Sequence, residues 1–339
     1  MNTDYNEFFH LPHTRAEGDW MEERLSTLSA KESIILAAAR QRNPPETAAD
    51  AINLLAGLRD YEICFPAHGY EELGRFYLTD ANLNFPELVL AHTDMEALGV
   101  AFEDSHPGLF IGDCYVMYPT GEQQKPYDGT NLATLKDEDW SVKVKLASPA
   151  KPEGVWLRLP DYSDANDGAP DEAALALREL GVQSVSKCTL VDAKCIFPEA
   201  GNLMEQYDDP VDLIYDGNNL GFLLDERAQG MQGFERKLAA AMEYDDCRTL
   251  KDVIGCAEEI RRFSFVMVDK LEDYAKTELK KAGAPEALIE GGLFDLEGLA
   301  RDSLDQNGYR LDRTGSVYLK PRQQGQELAQ GAMTMEQTM

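Results

Sequence analysis

Positive charge is what this 339-residue chain has least of: 32 lysines and arginines stand against 61 aspartates and glutamates, a formal net charge of −29. A polyanion of that strength is repelled by nucleic acid and by anionic lipid, so direct binding to either is excluded as a function. Long apolar runs are also missing. The longest, residues 34–39, falls far short of the ~20 residues that span a bilayer, so no membrane partner is expected. The opening MNTDYNEFFHLPH is acidic and has no apolar core, so no secretory signal is expected, and the cytoplasm is the expected location.

The tight chemical motifs are absent as well. There is no G-x-x-x-x-G-K-[ST] phosphate loop, no G-x-G-x-x-G, no G-x-S-x-G and no H-E-x-x-H. Five histidines all fall in the first third; His10-x-x-His13 has a metal-like spacing but lies in a poorly patterned stretch beside Pro12 and reads as a solvated terminus. The six cysteines (Cys64, Cys114, Cys188, Cys195, Cys247 and Cys256) form no C-x-x-C pair and no zinc-type spacing. They read as reduced, mostly buried small hydrophobes. No catalytic residue, metal or cofactor is expected on these grounds.

What is present is enough apolar material for packed cores: 43% hydrophobic residues, with 14 Tyr and 13 Phe, which argues against acidic disorder. The length predicts two or three domains. The organising feature is an internal repeat. Leu36-Ala37-Ala38-Ala39 recurs at Leu238-Ala239-Ala240-Ala241, and at the same offset Thr47 meets Thr249, Asp50 meets Asp252, Arg59 meets Arg261 and Tyr61 meets Phe263. After a one-residue slip, Glu71-Glu72 falls on Glu272-Asp273, Asp94 on Asp295, Glu96 on Glu297 and Asp104 on Asp305.

Residues 20–120 and 223–322 therefore read as two copies of a small, mostly helical α+β module. Each copy has a helix carrying LAAA, a second helix capped by Thr47 or Thr249, a short strand and a helix opening at Tyr70 or Leu271. A further helix capped by Asp94 or Asp295 leads into a terminal hairpin. Between the copies, residues 121–154 read as a linker holding one half-buried strand, in which Val142, Val144 and Leu146 alternate with Ser141, Lys143 and Lys145. Residues 155–226 read as a compact α/β unit, and 323–339 as a disordered tail. The expected architecture is an elongated α+β chain with domains at 1–120, 155–226 and 227–322.

The loop around Asp161, Asp164 and Asp167 fails the EF-hand spacing, because Ser163 and Ala165 would take charged ligand positions. A metal-dependent enzyme built there is a lesser alternative. The acids that keep their sign across the repeat are more informative. Asp94, Asp295, Glu96 and Glu297 have a local role open to them, as caps and first-turn charges. Glu71, Glu72, Asp104, Glu272, Asp273 and Asp305 have none that is evident, so an acidic partner-binding surface competes with an ordinary solvated helix face. Duplex DNA carries one charge per ~1.7 Å of axis, so a charge of −29 corresponds to roughly 50 Å of duplex. Such a surface could compete for a basic DNA-binding groove.

The stretch FDLEGLARDSLDQNGYRLDRTGSVYL (294–319), with its D-x-E-x-x-A-x-D pattern ending at Asp302, resembles the C-terminal part of ArdA antirestriction proteins. YDDPVDLIYDGNNLGFLLDE (207–226) is similar to ArdA-like proteins of mobile elements, and YEELGRFYL with DMEALGVAF resembles the family more weakly. The resemblance implies an acidic, dimeric DNA mimic that occupies the DNA-binding groove of type I restriction-modification complexes or another DNA-reading defence complex. The chain departs from the family in its length, its second module copy and residues 121–154. An acidic scaffold for a basic protein unrelated to DNA is the other alternative.

Overall fold

The computed structural model describes residues 5–121, 123–135, 140–161, 172–197, 206–228 and 231–322. The expected tail and most of the 161–171 loop, including Asp164 and Asp167, lie outside the described residues. The fold is mixed α+β. Every named strand pairing is antiparallel. Among the described residues no helix is long and apolar enough to cross a membrane.

Contacts divide the chain into two compact units, residues 1–196 with 207–218 and residues 197–206 with 219–339. The first unit opens with α1 (Asn6–His10), α2 (Arg15–Ser26), α3 (Ala30–Arg42) and α4 (Ala48–Ala56). Strand β1 (Glu62–Cys64), α5 (Tyr70–Asp80), the short α6 (Glu87–Leu90), α7 (Met95–Ser105), β2 (Gly108–Ile111) and β3 (Cys114–Met117) follow. Local chemistry accounts for the helix starts. Thr14, Ser29 and Thr47 each close a capping box with an acid three residues on, so the first free backbone amides are satisfied. Asp50, one of the acids that recurs, is thereby a cap partner.

The second unit repeats that order. It contains α10 (Phe234–Asp245), α11 (Leu250–Glu258), β7 (Phe263–Met267), α12 (Leu271–Lys281), α13 (Glu286–Ile289), α14 (Leu296–Gln306), β8 (Arg310–Leu311) and β9 (Val317–Pro321). The sheet orders correspond, β1-β3-β2 and β7-β9-β8, with the last strand in the middle each time. Thr249 and Asp252 form the same capping box as Thr47 and Asp50. Even the single 3-10 turns before the first strands match, Leu58–Asp60 and Ile260–Arg262.

One packing detail separates the copies. A Cβ on Gly74 would lie 2.1 Å from the carbonyl oxygen of Met95, and one on Gly99 would lie 1.9 Å from that of Tyr70. The first turns of α5 and α7 therefore run antiparallel in backbone contact that only glycine permits. The second copy has buried Ala275 and Ala300 at the matching positions, so its helix pair must be spaced for two methyl groups.

The middle of the chain differs from the expectation. Strands β4 (Val142–Ser148), β5 (Lys151–Leu159) and β6 (Thr189–Cys195) form one sheet in the order β5-β4-β6. The stretch expected as a linker thus supplies the central strand, and the expected α/β unit is an antiparallel sheet that begins at residue 142. Strand β4 is covered on both faces; Lys143 is 3% exposed, with its ammonium 4.5 Å from the ring centre of Trp140. The segment around Tyr127 is docked too. Tyr127 exchanges two hydrogen bonds with Asn53 (2.8 and 3.0 Å), and its hydroxyl donates to Glu17 at 3.0 Å.

Nor is the central sheet a domain apart from copy one. Helix α3 packs on β5 and on α8 (Glu172–Leu180), Ser29 bridges to Trp156, and the carboxylate of Glu32 accepts hydrogen bonds from both Arg24 and Arg158. Arg24, Glu32 and Arg158 are all under 7% exposed. A buried charge held from two directions binds the two segments into one unit. The unit boundary falls inside α9 (Pro210–Ala228), after residue 218, rather than at 226.

Beside this triad, Glu172 is buried and accepts one hydrogen bond, from Ser29 Oγ at 3.1 Å, while its Oε2 has no partner among the described residues. Burial pushes its carboxyl up to about 7. A carboxyl raised in the fold contributes stability below its unfolded value, and that contribution is lost as pH rises through the folded one. Wild-type stability should therefore fall on the order of 2–3 kcal/mol between about pH 4.5 and 7 from this group alone. Urea midpoints across that range should show the loss, and Glu172→Gln should flatten it.

Candidate partner-binding surface

The sequence-expected acids emerge on α5 and α7 of the first copy and on α12 and α14 of the second, or at their N-caps. All are exposed except the half-buried Glu72. Asp94 accepts from the backbone amide of Ala97 and Asp295 from that of Gly298, both at 3.0 Å, so each caps its helix. Several others have a cation within reach: Glu71 to Arg75 (3.8 Å), Glu72 to His68 (3.8 Å, an ion pair only when the histidine is protonated), Asp273 to Lys270 (3.7 Å) and Glu297 to Arg301 (2.7 Å). These pairs are solvent-exposed, so they contribute little and leave the carboxylates available.

Glu96, Asp104, Glu272, Asp302 and Asp305 have no ion-pair partner among the described residues. Asp104 and Asp305 are the most telling. Each stands in the last turn of its helix, α7 or α14, and neither last turn carries a basic residue. The carbonyl end of a helix is its negative pole, so an unpaired acid there is locally unfavourable. The acid recurs in both copies; in the second, Lys320 Nζ donates to the carbonyl of Asn307 at the same helix end at 3.2 Å and offsets part of the cost.

In the first copy the fold gathers four expected acids around one feature. Glu71 and Glu72 from α5, with Asp94 and Glu96 at the start of α7, line an open groove of about 770 Å³. The groove lies where the glycine-to-backbone contact brings the two helix starts together. Glu87 of α6 completes the carboxylate rim, opposed by His68 and Arg75. Sequence reasoning missed Glu87. Its signal was present, since Pro86-Glu87 and Pro285-Glu286 open short helices at corresponding places, but a shift in repeat offset hid the match. Glu286 is paired to Lys280 at 3.0 Å. Asp104, Asp302 and Asp305 are not part of this groove.

The other candidate positions take no part in this surface. The backbone amide of Asp161 donates to Asn218 at 2.8 Å, and His13 Nδ1 contacts the carbonyl of Leu11 at 2.7 Å. All six cysteines are free thiols; Cys64, Cys114, Cys247 and Cys256 are buried, while Cys188 and Cys195 are half-buried. Cys256 and Cys247 share a hydrogen bond, which makes Cys247 the readier of the two to ionise and pushes Cys256 up.

No protein-family model, curated protein or solved structure matches the chain.

Proposed function

We propose that the chain is an acidic DNA mimic, without catalysis of its own, that inhibits a bacterial DNA-binding defence complex in the cytoplasm. The favoured target is a type I restriction-modification enzyme, whose basic DNA groove it would occupy, and the favoured state is a homodimer. The observation that carries this reading is the pair of unpaired acids, Asp104 and Asp305, placed in the last turns of equivalent helices where local electrostatics oppose them. An acid kept at the carbonyl end of equivalent helices in both copies is accounted for by a partner that needs it. The net charge of −29 supplies the driving force, an attraction to a basic groove that added salt screens.

The test is a pair of measurements on one variant. Asp104→Asn combined with Asp305→Asn should raise the Tm by roughly one degree, because it removes two unfavourable helix-end charges. The same variant should bind the purified restriction complex several-fold more weakly. A variant that gains stability and keeps full affinity would mark these acids as an ordinary solvated face.

A further inference from the structure

The second unit contains a side-chain cluster that the DNA-mimic reading does not use. Asp245 is the last residue of α10, Cys247 lies in the connection that follows, and Cys256 sits two turns into α11. One ligand atom from each lies within 4.8 Å of the other two. Both thiols are buried, at 7% and 3% exposed, while the Asp245 side chain is 24% exposed and reaches solvent.

The connection is built to bring Cys247 inward. Asp246 takes the left-handed conformation (φ 53), and the amide of Cys247 donates back to the carbonyl of Met242 at 3.0 Å. Aspartate tolerates that conformation, and the reversal turns the next residue toward the core. Arg262 holds the carboxylate of Asp245 through one oxygen. A carboxylate has two, so this bond orients the group and leaves donor capacity.

The repeat supplies an internal control. At the offset of 202 that aligns LAAA, residues 245, 247 and 256 correspond to Asn43, Pro45 and Leu54, with Pro44 in place of the left-handed Asp246. The same helix pair therefore forms in copy one without a thiol, a carboxylate or the reversed turn. The fold does not require this trio.

We propose that Asp245, Cys247 and Cys256 bind one thiophilic divalent cation of the zinc class. Two thiolates and a carboxylate suit zinc, whereas magnesium and calcium call for oxygen donors throughout. Three protein ligands leave the fourth tetrahedral position to water or an exogenous ligand, on the exposed Asp245 side. Binding displaces the two S–H protons to solvent and involves no oxidation, so it strengthens as pH rises. The site stands independently of the DNA-mimic reading.

Full-length protein, demetallated and kept reduced, is titrated with Co²⁺ as the probe and then with Zn²⁺. One equivalent of Co²⁺ should produce a sulfur-to-metal charge-transfer band with tetrahedral d–d bands, which Zn²⁺ then bleaches stoichiometrically and excess Mg²⁺ does not. Cys247→Ser and Cys256→Ser should each weaken binding at least tenfold, Asp245→Asn should weaken it measurably, and Cys188→Ser should leave it unchanged. X-ray absorption at the zinc edge of the loaded wild type should report two sulfur neighbours at about 2.3 Å. That count decides the matter even where a variant fails to fold. Absence of a saturable band, a sulfur count other than two, or a band that survives loss of both thiols would overturn the site.

Discussion

Replacing Glu32 with alanine should destabilise the first unit by about 3–5 kcal/mol, because it removes the buried carboxylate that two buried arginines share. Arg24 approaches Glu32 from α2, and Arg158 approaches from β5 of the central sheet. The Glu32 carboxylate also accepts the backbone amide of Ser29 at 3.0 Å, so the same residue closes a capping box. Burial pushes the Glu32 carboxyl up, and the two guanidiniums more than offset it, leaving it below its ordinary value. That stabilisation is present above the ordinary carboxylate range and is lost as pH falls through the lowered value. Urea unfolding of E32A at pH 7 should show the loss in the midpoint. Replacing all three charges with apolar residues of similar volume should restore most of it, as buried ion clusters generally allow. The repeat offers a precedent, because the residue aligned with Glu32 is the buried Phe234.

The second large effect belongs to the acidic surface. Changing Glu71, Glu72, Asp104, Glu272, Asp273, Asp302 and Asp305 together to their amides should cost orders of magnitude in affinity for the target complex, while the Tm moves by no more than the roughly one degree expected from Asp104 and Asp305. The salt dependence of binding should flatten as well, because seven salt-screened charge pairs with the groove are lost. Each amide alone should cost less than about threefold, as exposed charges do. Binding measured for the seven-fold variant and the single ones between low and high salt checks both halves. One substitution that accounted for the whole loss would point to a discrete recognition site instead.

Much of the helical framework was readable from local chemistry. Thr47 with Asp50, Thr249 with Asp252, and Asp94 and Asp295 announce their helices through groups a turn away, and the structure places each as a cap. The same fact removes Asp50 and Asp252 from the acids that need a partner. Contacts across long sequence separation were not readable. Lys143 looked like the solvated half of an alternating strand, but it is buried, with its ammonium over the ring of Trp140, in a strand paired on both edges. Glu32 stands in the first turn of α3, and one of the two arginines that hold it, Arg158, lies 126 residues away. Cys247 and Cys256 have no recognisable metal spacing, because their proximity comes from the reversed turn at Asp246 rather than from a single regular element. The groove of the first copy depends on Gly74 and Gly99, and its signal was the exchange to alanine at Ala275 and Ala300.

The most direct test of the central claim is competition. A purified type I restriction complex loaded with labelled duplex is titrated with this protein, and released duplex is measured at several salt concentrations. DNA mimicry predicts complete, mutually exclusive displacement, with an inhibition constant that weakens steeply as salt rises. Binding of the protein and the duplex to the complex at the same time, or displacement indifferent to salt, would contradict it.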